Sequence, residues 1–163
     1  MALTSGQLTT LKAAIEAETD STFVIARTNG QNGVMAEFYN QLSSPTFIVW
    51  KTLVSIASTG QSFNGTEWAG MTTANHTRLQ TVAQYLAQGY NAALADVRAM
   101  FNDIWSGAGG TTTRASLLTL WKRTATRGEK LYATGIGSDA VPGQLVFEGN
   151  ITDTDVSKAV NLP

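Results

Sequence analysis

Apolar residues recur along the chain at intervals of three and four, the spacing that gathers one face of an α-helix. Leu8, Leu11 and Ile15 show it first, behind a capping box in which Thr4 precedes Gln7 by three positions and Leu3 and Leu8 stand as a staple. This predicts a helix reaching about Glu18. Residues 19–32 set Thr, Asp, Ser, Asn and Gly around an apolar interval, Phe23-Val24-Ile25, and read as a loop with an extended piece. A short helix from Asn32 or Gly33 to about Gln41 would bury Val34, Phe38 and Leu42. Ser44-Pro45 then offers an N-cap with proline at the first helical position. Thr46, Phe47, Ile48, Val49, Trp50, Val54 and Ile56 favour a strand instead. Giving the cap precedence predicts a helix over 46–58.

Asn64 and Glu67, flanked by Phe63 and Trp68, predict a single helical turn ending near Gly70. Two longer amphipathic helices follow. One runs from about Thr73 to Gln88 on Leu79, Val82, Ala83 and Leu86; the other runs from Asn91 to Ser106 on Leu94, Val97, Phe101, Ile104 and Trp105. Gly89 and Gly107 stop them, and links this short join antiparallel neighbours in bundles. Thr111, Thr112 or Thr113 can cap the longest predicted helix, about Arg114 to Ala133. On it Leu117, Trp121, Ala125, Gly128 and Tyr132 share one stripe, with Arg123, Arg127 and Lys130 nearly opposite. A glycine inside a helix costs about 1 kcal/mol relative to alanine, so Gly128 on the packed stripe implies the close approach of another backbone. Val141-Pro142-Gly143 reads as a turn, residues 144–148 as a short extended segment, and Thr152 as the cap of a final short helix stapled by Ile151 and Val156. The expected fold is all-α: a helical bundle over 1–135, then a C-terminal docking segment over 136–163 carrying the extended piece and the small helix. Residues 144–163 would then be removable from a folded helical domain.

Composition narrows the chemistry. With 43% hydrophobic and 14% charged residues in 163, the chain suits one soluble globular domain, and no apolar run is long enough to span a membrane. A formal charge of -1 provides no global field to hold nucleic acid or an anionic membrane. The absence of cysteine excludes disulfides and thiolate chemistry, and a single histidine, His76, excludes a multi-histidine metal site. Met1 to Ser5 has neither a basic region nor an apolar run, so no secretory signal is expected, and the sequons at Asn64, Asn75 and Asn150 are read as chance matches. His76 lacks partners for a triad. The glycine-rich stretch Gly107 to Arg114 lacks the lysine of a phosphate-binding loop, Gly135-Ile136-Gly137 closes a helix rather than opening one, and Asp153 and Asp155 suit a helix N-terminus. No catalytic residue, metal or cofactor is expected, and the chain is not expected to be an enzyme.

Charge is distributed unevenly. Residues 111–130 carry a net +4 and residues 131–163 a net -3. The basic stripe of Arg123, Arg127 and Lys130 is either a solvated outer face or meets acidic groups, in this chain's own tail or on a neighbouring subunit. Leu145, Val146 and Phe147 form an apolar cluster in a polar tail, suited to docking across a boundary.

The run Leu117-Leu118-Thr119-Leu120-Trp121-Lys122-Arg123, then Arg127-Gly128-Glu129-Lys130-Leu131-Tyr132-Ala133-Thr134-Gly135, and Leu145-Val146-Phe147-Glu148-Gly149-Asn150-Ile151 resemble a family of small tailed-bacteriophage proteins. Leu8-Thr9-Thr10-Leu11-Lys12 and Phe47-Ile48-Val49-Trp50-Lys51 resemble it too. The resemblance implies a virion structural role similar in kind to head-to-tail adaptors: a homo-oligomeric ring matched to the portal, a dodecamer, at the head–tail junction of a virion made in the host bacterial cytoplasm. Its expected partners are the portal protein and a neighbouring neck or tail protein. DNA would pass through the ring without specific binding, and no membrane is involved. Arg123, Arg127, Lys130 and the C-terminal segment would supply inter-subunit or portal contacts, with Leu145, Val146 and Phe147 as apolar anchors and the flanking charges setting register. The alternatives are a tail-completion, minor tail or head-decorating protein, or a non-structural phage protein that binds a host factor.

Overall fold

Side-chain caps decide where most of the helices begin. The computed structural model describes residues 2–163. Helix α1 (Ser5–Ala17) starts behind the predicted box: Gln7 N–H donates to Thr4 Oγ1 at 3.3 Å, and Thr4 N–H donates back to Gln7 Oε1 at 2.9 Å. Helix α2 (Ser21–Thr28) occupies most of the stretch expected to be loop. Its cap is Asp20, whose carboxylate accepts from Phe23 N–H at 3.1 Å, and it buries Phe23 and Ala26, one turn apart. Helix α3 (Asn32–Asn40) lies where predicted, but it buries Met35, Ala36 and Tyr39 and leaves Val34 exposed, with Leu42 exposed just beyond it.

The helix expected over 46–58 is not formed. Strand β1 (Ile48–Trp50) takes its centre, and helix α4 (Ile56–Gln61) starts only after Ser55, which caps it. Here the β-branched and aromatic run overrides the apparent cap at Ser44, because it has a strand to pair with. That partner is β2 (Lys122–Thr124). Ala125 N–H donates to Phe47 O at 2.9 Å and Lys51 N–H to Trp121 O at 2.8 Å, an antiparallel register. Helices α5 (Gly65–Ala69), α6 (Thr73–Tyr85) and α7 (Ala95–Ile104) match the predicted order, each shorter than or equal to its expected span. The long helix predicted over 114–133 is split into α8 (Thr111–Leu120), β2 and α9 (Arg127–Tyr132). A second capping box starts α9: Glu129 N–H donates to Thr126 Oγ1 at 3.1 Å and Thr126 N–H to Glu129 Oε2 at 2.9 Å. Helix α10 (Asp153–Val160) ends the order behind its own box, Thr152 with Asp155. Helix accounts for 56% of the chain, with a small two-stranded sheet, so the protein is mostly helical.

Contacts divide the chain into two units: residues 1–49 with 124–163, and residues 50–123. The first unit is centred on Leu11, Ile15, Phe23, Met35, Tyr39, Phe147, Ile151 and Val156, with α10 packed on both α1 and α3, and α9 on the same two helices. The division therefore does not fall at residue 135. The tail past 135 shares a core with the N-terminal helices, since Phe147, Ile151, Val156 and Ala159 are buried in the same cluster as Leu11, Ile15, Phe23 and Met35. The second unit gathers Trp50, Leu79, Tyr90, Phe101, Ile104, Trp105, Leu117 and Trp121. At its centre Trp121 Nε1–H donates to the Tyr90 hydroxyl at 2.9 Å, and that hydroxyl lies 2.8 Å from Thr59 Oγ1, while Trp105 Nε1 of the same cluster is buried without a partner. Among the described residues no helix is long and apolar enough to cross a membrane.

Candidate functional site

The break at Trp121 separates the three basic residues expected on one stripe. Arg123 lies half-buried in β2, whereas Arg127 and Lys130 belong to the first and last turns of α9. The Arg127 guanidinium carbon lies 3.9 Å over the Phe38 ring, and Lys130 Nζ donates to Pro45 O at 3.2 Å. These two side chains, without Arg123, line a surface cleft of about 320 Å³ with Glu18, Phe38, Tyr39 and Ser43. Two buried polar atoms of residues lining it, the Tyr39 hydroxyl and Arg127 Nε, have no hydrogen-bond partner in the protein. Burial raises the Tyr39 pKa above its ordinary 10, and the Glu18 carboxylate adds to the shift. The neighbouring Tyr132, pushed up to about 12 by burial and by Asp155, donates instead to Gln7 O at 3.0 Å.

Past α9 the chain forms an irregular hairpin. Thr134 and Gln144 exchange two backbone hydrogen bonds of 2.9 Å, and Ile48 ties both limbs together, donating to Gly137 O at 2.7 Å and accepting from Gly143 N–H at 2.8 Å. Phe47 fills the space between the limbs. At Gly137, with φ +68°, a Cβ would lie 2.2 Å from the Phe47 ring, and at Gly143 one would lie 2.5 Å from it, so both positions need glycine. A turn closed by Ser138 N–H donating to Val141 O at 3.1 Å forms the tip. On this braced segment Ile136 and Val141 are 72% and 50% exposed, and Val146, two residues past its last pair, is 67% exposed. Of the three expected apolar anchors, Val146 is thus exposed and Leu145 half-buried, while Phe147 turns into the core of its own unit, edge-on to Tyr132 at 5.4 Å. Ile136 and Val141 were not among the anchors read from the sequence. The available signal was their position: each lies in a glycine-flanked stretch with neither a helical nor a strand period to bury it.

Other motifs resolve into structure. His76 stands edge-on to Trp68 with ring centroids 4.8 Å apart. None of the three threonines supplies the α8 cap. Glu67 reaches over from α5, and its two carboxylate oxygens accept from Thr112 N–H and Thr113 N–H at 2.8 Å each, so those donors are already spent. Arg114 donates to Trp105 O and, at 3.0 Å, to Gly107 O, which anchors the glycine-rich stretch from within. Asp155 is engaged by Thr152 Oγ1 at 2.7 Å. Among the described residues no group of three or more His, Cys, Asp or Glu side chains could hold a metal ion. The chain matches no protein-family model, no curated protein and no solved structure.

Proposed function

We propose that the chain acts by assembly, as a structural component of a tailed-phage virion, and that its station is the head-to-tail adaptor, in a ring beneath the portal. The observation that carries this reading is the braced C-terminal hairpin with Ile136 and Val141 turned outward, and Val146 exposed just beyond its last paired residue. Apolar side chains held out on a segment that is itself fixed by hydrogen bonds lose little freedom on docking, so their burial favours association. The similarity to small phage proteins described above supports the same reading. In it the helices pack as a bundle that forms the wall of each subunit, and the hairpin meets the portal protein or the adjacent copy. Contacts in a closed ring are heterologous, so the basic residues around α9 and the acidic tail serve different faces of one protomer.

The test is made on particles. Mass spectrometry and cryo-EM of purified virions are expected to find the chain in ring stoichiometry at the neck. Density over the capsid would indicate a decorating protein, density within the tail a tail protein, and absence from particles a host-binding factor; each would overturn the adaptor assignment. Val146→Asp provides the matching variant. Because Val146 is exposed, the substitution is expected to leave thermal unfolding within about 0.5 kcal/mol of wild type. Incorporation into particles should fall at least several-fold. Normal incorporation would remove Val146 and the segment that follows the hairpin from the interface.

A further inference from the structure

The cleft of the first unit that Arg127 and Lys130 share is lined by residues two of which, Arg127 and Tyr39, hold buried donors with no partner in the protein. Phe38 covers one face of the Arg127 guanidinium at 3.9 Å, which leaves the in-plane N–H edge for hydrogen bonding, and Nε on that edge is buried without a partner. Tyr39, 3% exposed, lines the same cleft, and its hydroxyl is likewise unpartnered. Buried Ser43 uses its oxygen to accept from Phe47 N–H at 3.0 Å, and its own proton remains to be donated. Buried donors without acceptors are rare in folded proteins and mark places where an acceptor is missing from the chain itself. The charges facing the cleft are Arg127, Lys130 and Glu18. Glu18 is turned toward the start of α2, where one of its carboxylate oxygens accepts from Thr19 N–H at 2.9 Å and Asp20 N–H at 3.0 Å. Arg27, nearby, is committed to the end of α1, donating to Ile15 O at 2.6 Å and Glu16 O at 2.9 Å.

From this set we infer that the cleft bordered by α1, α3 and α9 binds an oxyanion, a carboxylate or a phosphate group, received by the Arg127 edge, the Tyr39 hydroxyl and the Ser43 hydroxyl with Lys130 beside them. An oxyanion, with several lone pairs and a charge opposite to that of Arg127 and Lys130, suits these donors together better than a neutral acceptor does. A guanidinium edge matches two oxygens of one carboxylate or phosphate, and a volume of about 320 Å³ admits such a group with the atoms that carry it. The inference does not depend on a place in the virion.

The experiment titrates the full-length, isotope-labelled chain with sodium phosphate and, separately, with sodium acetate, each against sodium chloride at matched ionic strength. NMR signals of Arg127 Nε–H and of the backbone amides of Phe38, Tyr39 and Ser43 report on the cleft. Saturable shifts confined to these groups are expected with at least one anion. Saturation by acetate alone identifies a carboxylate site, by phosphate alone a phosphate site, and by both a general oxyanion site. Tyr39→Phe removes only an unpartnered hydroxyl and keeps the ring, so it should fold as wild type does and weaken binding about tenfold, the effect of one hydrogen bond to a charged group. Shifts no larger than those in chloride, or unchanged affinity in Tyr39→Phe, would overturn the assignment.

Discussion

A Cβ at Gly128 would lie 2.7 Å from Ile151 Cγ1 and 3.3 Å from the Tyr39 carbonyl oxygen. Helix propensity alone makes Gly→Ala favourable by about 1 kcal/mol, but overpacking a buried site costs about 1–3 kcal/mol. Contact decides the sign. Ile151 is fully buried and the second neighbour is backbone, so neither can give way cheaply. Gly128→Ala is accordingly expected to lower stability by about 1–2 kcal/mol, read as a drop in the urea midpoint at unchanged slope. A rise in the midpoint would mean that Ile151 repacks. The same stripe shows what single positions reveal in the sequence. Leu117, Trp121, Ala125, Gly128 and Tyr132 are all buried, as their spacing predicts, yet no continuous helix connects them. Intervals of three and four also arise when a helix yields to a short strand and a second helix begins, so burial is legible where backbone conformation is not. The unpartnered Tyr39 hydroxyl was beyond such reading, because nothing in one chain's spelling shows which hydroxyl lacks a partner.

At the scale of elements, the start of α8 depends on another helix. Desolvation pushes the Glu67 carboxyl up, but hydrogen bonds from Thr113 and Thr112 outweigh it and hold its pKa below the ordinary 4.5. A carboxyl whose pKa is lower folded than unfolded contributes stability above the unfolded value and loses it as pH falls through the folded one. Wild type should therefore lose this contribution on acidification below about pH 4.5. Glu67→Gln should be less stable than wild type near neutrality, and the gap should close in acid. Denaturation midpoints measured across that range check this; a gap independent of pH would assign the effect to packing rather than charge. Elements were legible where a cap was local. The boxes at Thr4 and Thr152 and the Asn64 cap mark α1, α10 and α5. Thr126 and Glu129 spell a box just as plainly, but the longer periodicity running through them obscured it. Ser44 misled for the opposite reason: it stands before a proline as a cap would, while the residues after it have the shape of a strand. The Glu67 cap could not be read at all, since its partners lie more than forty positions away.

For the whole molecule, the decisive residues lie in the C-terminal segment. An apolar cluster in a polar tail has the same sequence signature whether it is buried against its own chain or against another, which is why a separable docking segment was a reasonable expectation. The structure divides the cluster: Val146 faces outward, while Phe147, Ile151, Val156 and Ala159 belong to the core that α1, α2 and α3 also build. Truncating a single large core side chain costs about 2–5 kcal/mol, and a domain's entire stability is about 5–15 kcal/mol. Deleting residues 144–163 removes three such contributors, Phe147, Ile151 and Val156, together with α10, so the loss exceeds what the first unit can absorb. The truncated chain should unfold there rather than merely lose a binding surface. Hydrogen exchange followed by mass spectrometry provides the measurement: amides of α1, α2 and α3 should lose protection, while those of α6 and α7, whose cluster contains no residue past Trp121, should keep theirs. Retained protection in α1 to α3 would restore the separable tail. Protection lost equally in both units would instead show that the two unfold as one cooperative body, and no truncation could then isolate the docking role of the hairpin from its structural one. Val146→Asp, which leaves the core intact, is therefore the variant on which the assembly reading should be judged.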